Sequence, residues 1–132
     1  MRRSMMAVLL LLFSCTGKDI PSRINDADRV EIIDTKTNFS HIETKPEIIR
    51  EFKKAFENPA EPTDCSPQGT ILFRNGNKTV FKAGYYKDAS ACDFFIVEEG
   101  GKKMGYRYSY NILAYLGVYF QKLKQEHNAR HN

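Results

Sequence analysis

The chain holds three histidines, His41, His127 and His131, and only the last two have a metal-like spacing. Four residues apart, they share a face of any helix that runs that far. A metal also needs a third ligand and an orienting shell around it. The polar stretch Gln125 to Asn132 supplies neither, so no metal site is expected. Among the carboxylates, Glu98 and Glu99 are neighbours, and on a strand they point to opposite faces. Asp88 and Asp93 fall near turns. No Gly-x-Ser-x-Gly elbow, Ser-x-x-Lys pair, dinucleotide fingerprint or phosphate loop is present, and Gly100-Gly101 joins two strand-like runs. The three cysteines, Cys15, Cys65 and Cys92, form no C-x-x-C. The expectation is a chain with no catalytic residues and no cofactor.

Tyrosine placement stands out. All seven tyrosines lie between Tyr85 and Tyr119. Tyr85, Tyr106 and Tyr108 fall on strand-like runs. A stiff ring with a polar tip suits a protein interface or sugar stacking. Two readings stay open: these rings form a binding surface on the sheet, or they cover a half-buried sheet and the flank of a helix. Lys82, Lys87, Lys102, Lys103 and Arg107 lie near them and suit an anionic partner, or are solvated turn residues.

The elements that must position these rings follow from periodicity. Arg29 to Asp34 alternates, with Val30 and Ile32 on one face, and residues 38–43 make a hairpin partner. Thr44-Lys45-Pro46-Glu47 reads as a capping box, with Pro in the first turn where its missing N–H has no helical partner. Ile48, Ile49, Phe52, Ala55 and Phe56 then form one apolar helical stripe, ended by Asn58-Pro59. A proline-rich loop runs to Gly69. Four strands follow: Thr70 to Arg74, Thr79 to Tyr86, Ala91 to Glu98 and Lys103 to Tyr108. Short turns join them, at Asn75-Gly76-Asn77, at Lys87 to Ser90 and at Glu99 to Lys102. Ser109 caps a last helix with a stripe of Ile112, Leu113, Leu116, Phe120 and Leu123, and residues 125–132 read as a frayed polar tail. The expected fold class is α+β: an antiparallel meander sheet of four to six strands covered by two helices.

The N-terminus carries an address. Arg2 and Arg3 precede nine apolar residues, Met5 to Phe13, too few to span a bilayer, which takes about 20. The run ends in Leu12-Phe13-Ser14-Cys15, which resembles the lipobox of bacterial lipoprotein precursors: an aliphatic residue three before the cysteine and a small residue just before it. The resemblance implies a removed signal peptide over 1–14, diacylglycerol on the Cys15 sulfur and an acylated, palmitate-type new amine. It also implies a cell-envelope location. Thr16 stands where an aspartate would mark inner-membrane retention, which favours the outer membrane, on its periplasmic side or surface. If Cys15 carries lipid, Cys65 and Cys92 remain as an even pair in an oxidising compartment, and a disulfide is expected; two free thiols are the alternative.

The domain plan is thus a lipidated tether over 15–27, one α+β domain over 28–124 and the tail. Without Arg2 and Arg3, Lys and Arg number 18 against 16 Asp and Glu, with both signs interspersed. A nucleic-acid partner is therefore not expected. The partners expected are the membrane, through the anchor, and a protein or envelope glycan. The functional expectation is a non-enzymatic binding module of the envelope. A small hydrolase of envelope polymers and a structural or assembly subunit are the alternatives.

Overall fold

The computed structural model describes residues 19–63, 65–86 and 92–131. The signal-like segment, Cys15 and the turn at 87–90 lie outside the described residues. The elements are α1 (Ile20–Ile24), β1 (Arg29–Asp34), β2 (Ser40–Glu43), α2 (Pro46–Ala55), β3 (Pro59–Ala60), β4 (Gly69–Asn75), β5 (Lys78–Tyr85), β6 (Phe94–Glu99) and β7 (Lys102–Arg107). Then α3 (Tyr110–Ala114), a π-helical turn (Tyr115–Tyr119) and α4 (Phe120–His131) run on as one C-terminal helix. The sheet is open, antiparallel and seven-stranded, in the order β2-β1-β4-β5-β6-β7-β3. The fold is α+β as expected, with a sheet wider than four to six strands.

All helices lie on one face of this sheet. Val30 and Ile32 of β1, Ile71 and Phe73 of β4, Phe81, Ala83 and Tyr85 of β5, and Phe95 and Val97 of β6 point into a single core with the helices. Phe56 is its hub. It stacks on Phe95 with ring centroids 5.1 Å apart and meets Phe73 and Phe81 edge-on. Offset and edge-on pairs of this kind contribute beyond simple area burial. Gly76, at φ +59°, closes the β4–β5 hairpin where a side chain would be strained.

Four expectations need correction. The tether does not reach residue 27: Asp19 caps α1 by accepting from Ser22 N–H, and Ile20, Ile24 and Ala27 are buried in the core. Only two apolar residues in a five-residue helix leave too weak a periodic signal. The capping box at Thr44 does not form, because the helix begins one residue later with Lys45 at the cap and no side-chain cap bond. The buried Glu43 carboxylate instead takes the Thr44 and Lys45 N–H groups, at 3.0 and 3.2 Å. The C-terminal segment is helical to His131 rather than frayed, with His127 packed on Phe39 at 5.0 Å. Finally, Pro59–Ala60 is a short edge strand on β7 instead of loop.

The last helix's buried stripe differs from the expected one. Tyr115 is buried beside Leu116 and Phe120, while Leu113 and Leu123 are only partly buried. The buried Gln121 amide donates to the Leu116 carbonyl at 3.1 Å within the π turn.

A groove on the open face

The helix-free face is crossed by a strap, described over residues 61–63 and 65–68, between β3 and β4. Two glycines make room for it. A Cβ on Gly105 would lie 2.7 Å from the Ala60 carbonyl oxygen. A Cβ on Gly84 would lie 2.8 Å from Ile96 Cγ2 and 3.4 Å from Pro67. Both belong to one row across the sheet, Gly84–Ile96–Gly105–Ala60. The strap is fastened at its end by Gln68, whose N–H donates to Tyr85 O at 2.9 Å and whose carbonyl accepts from Thr35 N–H at 3.1 Å. Its middle is fastened by a Cys65–Cys92 disulfide with Cα atoms 6.6 Å apart. Under it sits a second small core of Tyr86, Cys92 and Phe94, with Cys65 and Ile96 at its margin.

Beside the strap lies a groove of about 440 Å³. The strap forms one wall through Cys65 and Pro67, and Thr70, Gly84 and Ile96 form the floor. Three charged side chains border it: Lys82 on β5, Glu98 on β6 and Lys103 on β7. Glu98 is directly opposite Lys103, and Lys82 lies on the same open face of β5, beyond the last paired residue Gly84. All three are exposed, and none takes part in an ion pair among the described residues. The β5–β6 ladder has two pairs only, against seven between β4 and β5, so these strands part beside the row. On the helix side of that gap, Arg23 from α1 pairs with Glu99 and lies 4.7 Å over the Phe81 ring.

Tyr85, Tyr106 and Tyr108 lie away from this groove. Tyr85 is 1 % exposed, on the helix side, with its ring across Gly69 and edge-on to Phe120. Burial, and then the Asp34 charge, push its hydroxyl pKa well above the usual value; the hydroxyl has no hydrogen-bond partner among the described residues. Tyr108 is buried against Phe95 at 4.6 Å, and its hydroxyl accepts from Tyr86 N–H and donates to Tyr86 O, both at 2.9 Å. Tyr106 is half-buried on Phe56 at 5.2 Å. These three rings cover the core and do not form a binding surface. Alternation tells which residues share a face but not which face the helices take.

No family model, curated protein or solved structure matches this chain.

Two buried polar clusters on the helix side have no signature in the sequence. Glu43 accepts from Tyr115 Oη at 2.9 Å and lies 3.9 Å from His41 Nε2, while its other oxygen holds the start of α2. Burial first, and then the hydrogen bond to Glu43, drive the Tyr115 pKa upward. Asp34 pairs with Lys124 Nζ at 2.8 Å and accepts from the Lys36 and Thr37 N–H groups at 3.0 Å each. Burial works to raise the Asp34 pKa, but the Lys124 and Thr37 bonds outweigh it and the net shift is downward. Both carboxylates are consumed in tying strand ends to helices, a structural use of buried charge. Neither faces the groove.

On the groove itself, Glu98 is the one carboxylate among the described lining residues, and no histidine lines it. Such a lining can hold a ligand through ion pairs and apolar contact. Among the described residues no group of three or more His, Cys, Asp or Glu is placed to hold a metal ion, and no helix is long and apolar enough to cross a membrane. Of the residues that carry the groove, Lys82 and Lys103 are visible in the sequence as cations near the tyrosines. Glu98 is not connected to them there, because its role depends on strand pairing.

Proposed function

We propose that this chain is an exported envelope protein, held to a membrane through acylated Cys15, that acts as a non-enzymatic binding module. Its ligand, a protein or glycan segment, lies in the groove on the open face. One observation carries the binding reading: a trough on the helix-free face bordered by three charges with no internal partner among the described residues. Charges left unpaired beside a concavity are ready to meet charges of a ligand, whereas Arg74 on the same face is already paired with Glu31 at 2.5 Å.

The anchor reading draws on the lipobox-like run and on the Cys65–Cys92 pair, which suits an oxidising compartment. Four residues separate Cys15 from α1, a reach of about 14 Å when fully extended. A domain on so short a leash presents its ligand site close to the membrane. Two or more acyl chains, at about 0.8 kcal/mol per buried methylene, hold it there permanently.

Two measurements test this. Intact mass of the protein from its native membranes is expected to correspond to residues 15–132 plus acyl chains, and the addition is expected to vanish in Cys15→Ala. A product that keeps residues 1–14, or begins past Cys15 without lipid, removes the anchor reading. Amide shifts of the full chain on titration with solubilised envelope material are expected at Thr70, Gly84 and Lys103, and are expected to weaken in Lys82→Gln/Lys103→Gln. Absence of any shift along the groove removes the binding reading.

A further inference from the structure

We propose that β2 is a docking edge for a second copy of this chain, paired strand to strand about a two-fold axis through His41. This surface is separate from the groove. β2 ends the sheet and has β1 on one side only. The Asp34 N–H donates to the Phe39 carbonyl at 2.8 Å, which fixes the phase of the β1–β2 ladder. His41 and Glu43 therefore exchange main-chain bonds with Ile32 and Val30, and the main-chain groups of Ser40 and Ile42 point outward. Nothing among the described residues meets them. A sheet edge is ordinarily guarded by lysine, proline, a bulge or brevity. The opposite edge is so guarded, since β3 has two residues and one is Pro59. β2 offers Ser40, His41 and Ile42, with no lysine and no proline.

Three of the four exposed large apolar side chains among the described residues gather at this edge. Ile42 is 49 % exposed on the open face. On the helix face the exposed Tyr119 ring stands over His41, with centroids 6.3 Å apart, and exposed Val118 adjoins it in the π turn. A second copy meets all of this in one register. With antiparallel pairing centred on His41, Ser40 and Ile42 of one copy exchange bonds with Ile42 and Ser40 of the other. Small Ser40 leaves room beside the second copy's Ile42. The two His41 residues become the non-hydrogen-bonded pair on the axis, with Cα atoms about 4.5 Å apart. Because Tyr119 sits over His41, the same axis brings Tyr119 and Val118 of the two copies together above the sheet. That second layer decides the occupant. A lone extended peptide covers the edge and leaves Tyr119 and Val118 bare, whereas a second copy carries its own helix to the same level. A four-residue edge makes a weak dimer, strengthened where copies share a membrane plane.

The test uses the full chain in detergent. Sedimentation in density-matched micelles is expected to show a concentration-dependent equilibrium between monomer and dimer. Ile42→Lys, at an exposed position, is expected to weaken the dimer by about tenfold or more. Val118→Ser/Tyr119→Ser, altered on the other layer, is expected to weaken it severalfold, and Lys102→Gln, on β7, to leave it unchanged. Oxidation in a Cys15→Ala background reads the register. His41→Cys faces itself across the axis within disulfide reach and is expected to give a covalent dimer. Ser40→Cys and Ile42→Cys each face the other residue and are expected to cross-link only when combined. A chain that stays monomeric at every concentration, with no His41→Cys cross-link, overturns the proposal. A dimer that survives both Ile42→Lys and Val118→Ser/Tyr119→Ser, or one that cross-links through Ser40→Cys alone in preference to His41→Cys, overturns it too, because the axis then lies elsewhere.

Discussion

Removing the strap's covalent fastening, with Cys65→Ser/Cys92→Ser, separates what the disulfide does for stability from what it does for the groove. The two cysteines are 27 residues apart. Closing a loop of that size removes unfolded-state entropy worth about 3.6 kcal/mol at 25 °C in the chain-entropy treatment. The native strap keeps its other fastenings in the variant: Gln68 still bonds Tyr85 and Thr35, and Pro67 still rests on Gly84. The loss is therefore expected to be mainly that of the loop constraint. With a urea m-value of about 1.5–2 kcal/mol/M for a domain this size, the midpoint is expected to fall by about 2 M. Tyrosine fluorescence and far-UV circular dichroism follow the transition, and wild-type protein kept reduced is expected to match the double variant. In the same variant, amide exchange is expected to rise at Gly84 and Ile96 beneath the strap while Phe73 and Phe95 on the helix side keep their protection. A midpoint shift below about 0.5 M would mean that the strap lies outside the cooperative unit and is no fixed wall for the groove, which would refute its structural role.

Two further outcomes follow from the buried polar groups. Asp34 has a folded pKa below its ordinary 3.8, so the unfolded chain binds the proton more tightly. The stability it contributes is complete above pH 3.8 and is lost as pH falls through the folded value. Lys124→Met is expected to cost about 3 kcal/mol at neutral pH, the lower end for a broken buried pair because two backbone N–H groups still serve Asp34, and the gap to wild type is expected to narrow in acid melts. In the alkaline direction, Tyr85, Tyr108 and Tyr115 have folded pKa values raised above the ordinary 10.0 by burial first. Their contribution is complete below pH 10.0 and lost above it, so tyrosinate absorbance is expected to show these three ionising only with unfolding. Smooth, reversible ionisation of all seven tyrosines in folded protein would contradict their placement.

Much of the architecture was legible because it is local. The stripe Ile49, Phe52, Ala55 and Phe56 recurs at helical spacing, the Asn-Gly step demands a positive φ, and runs such as Phe81-x-Ala83-x-Tyr85 alternate; each is a property of neighbouring residues. The pairing of Cys65 with Cys92 was likewise expected from residue types. What the linear chain could not decide is which face of the sheet the helices occupy. β6 is apolar on both sides, Phe94 and Ile96 against Phe95 and Val97, so its alternation allowed either choice. That choice sent Tyr85 and Tyr108 into the core and left Lys82, Glu98 and Lys103 along the open groove. Nothing local marks Gly84 and Gly105 as the places where the strap crosses, or links Glu43 to Tyr115, 72 residues away. Pairing and burial are set by contacts between segments distant in sequence, and the energy that selects among them exists only once the layers have come together.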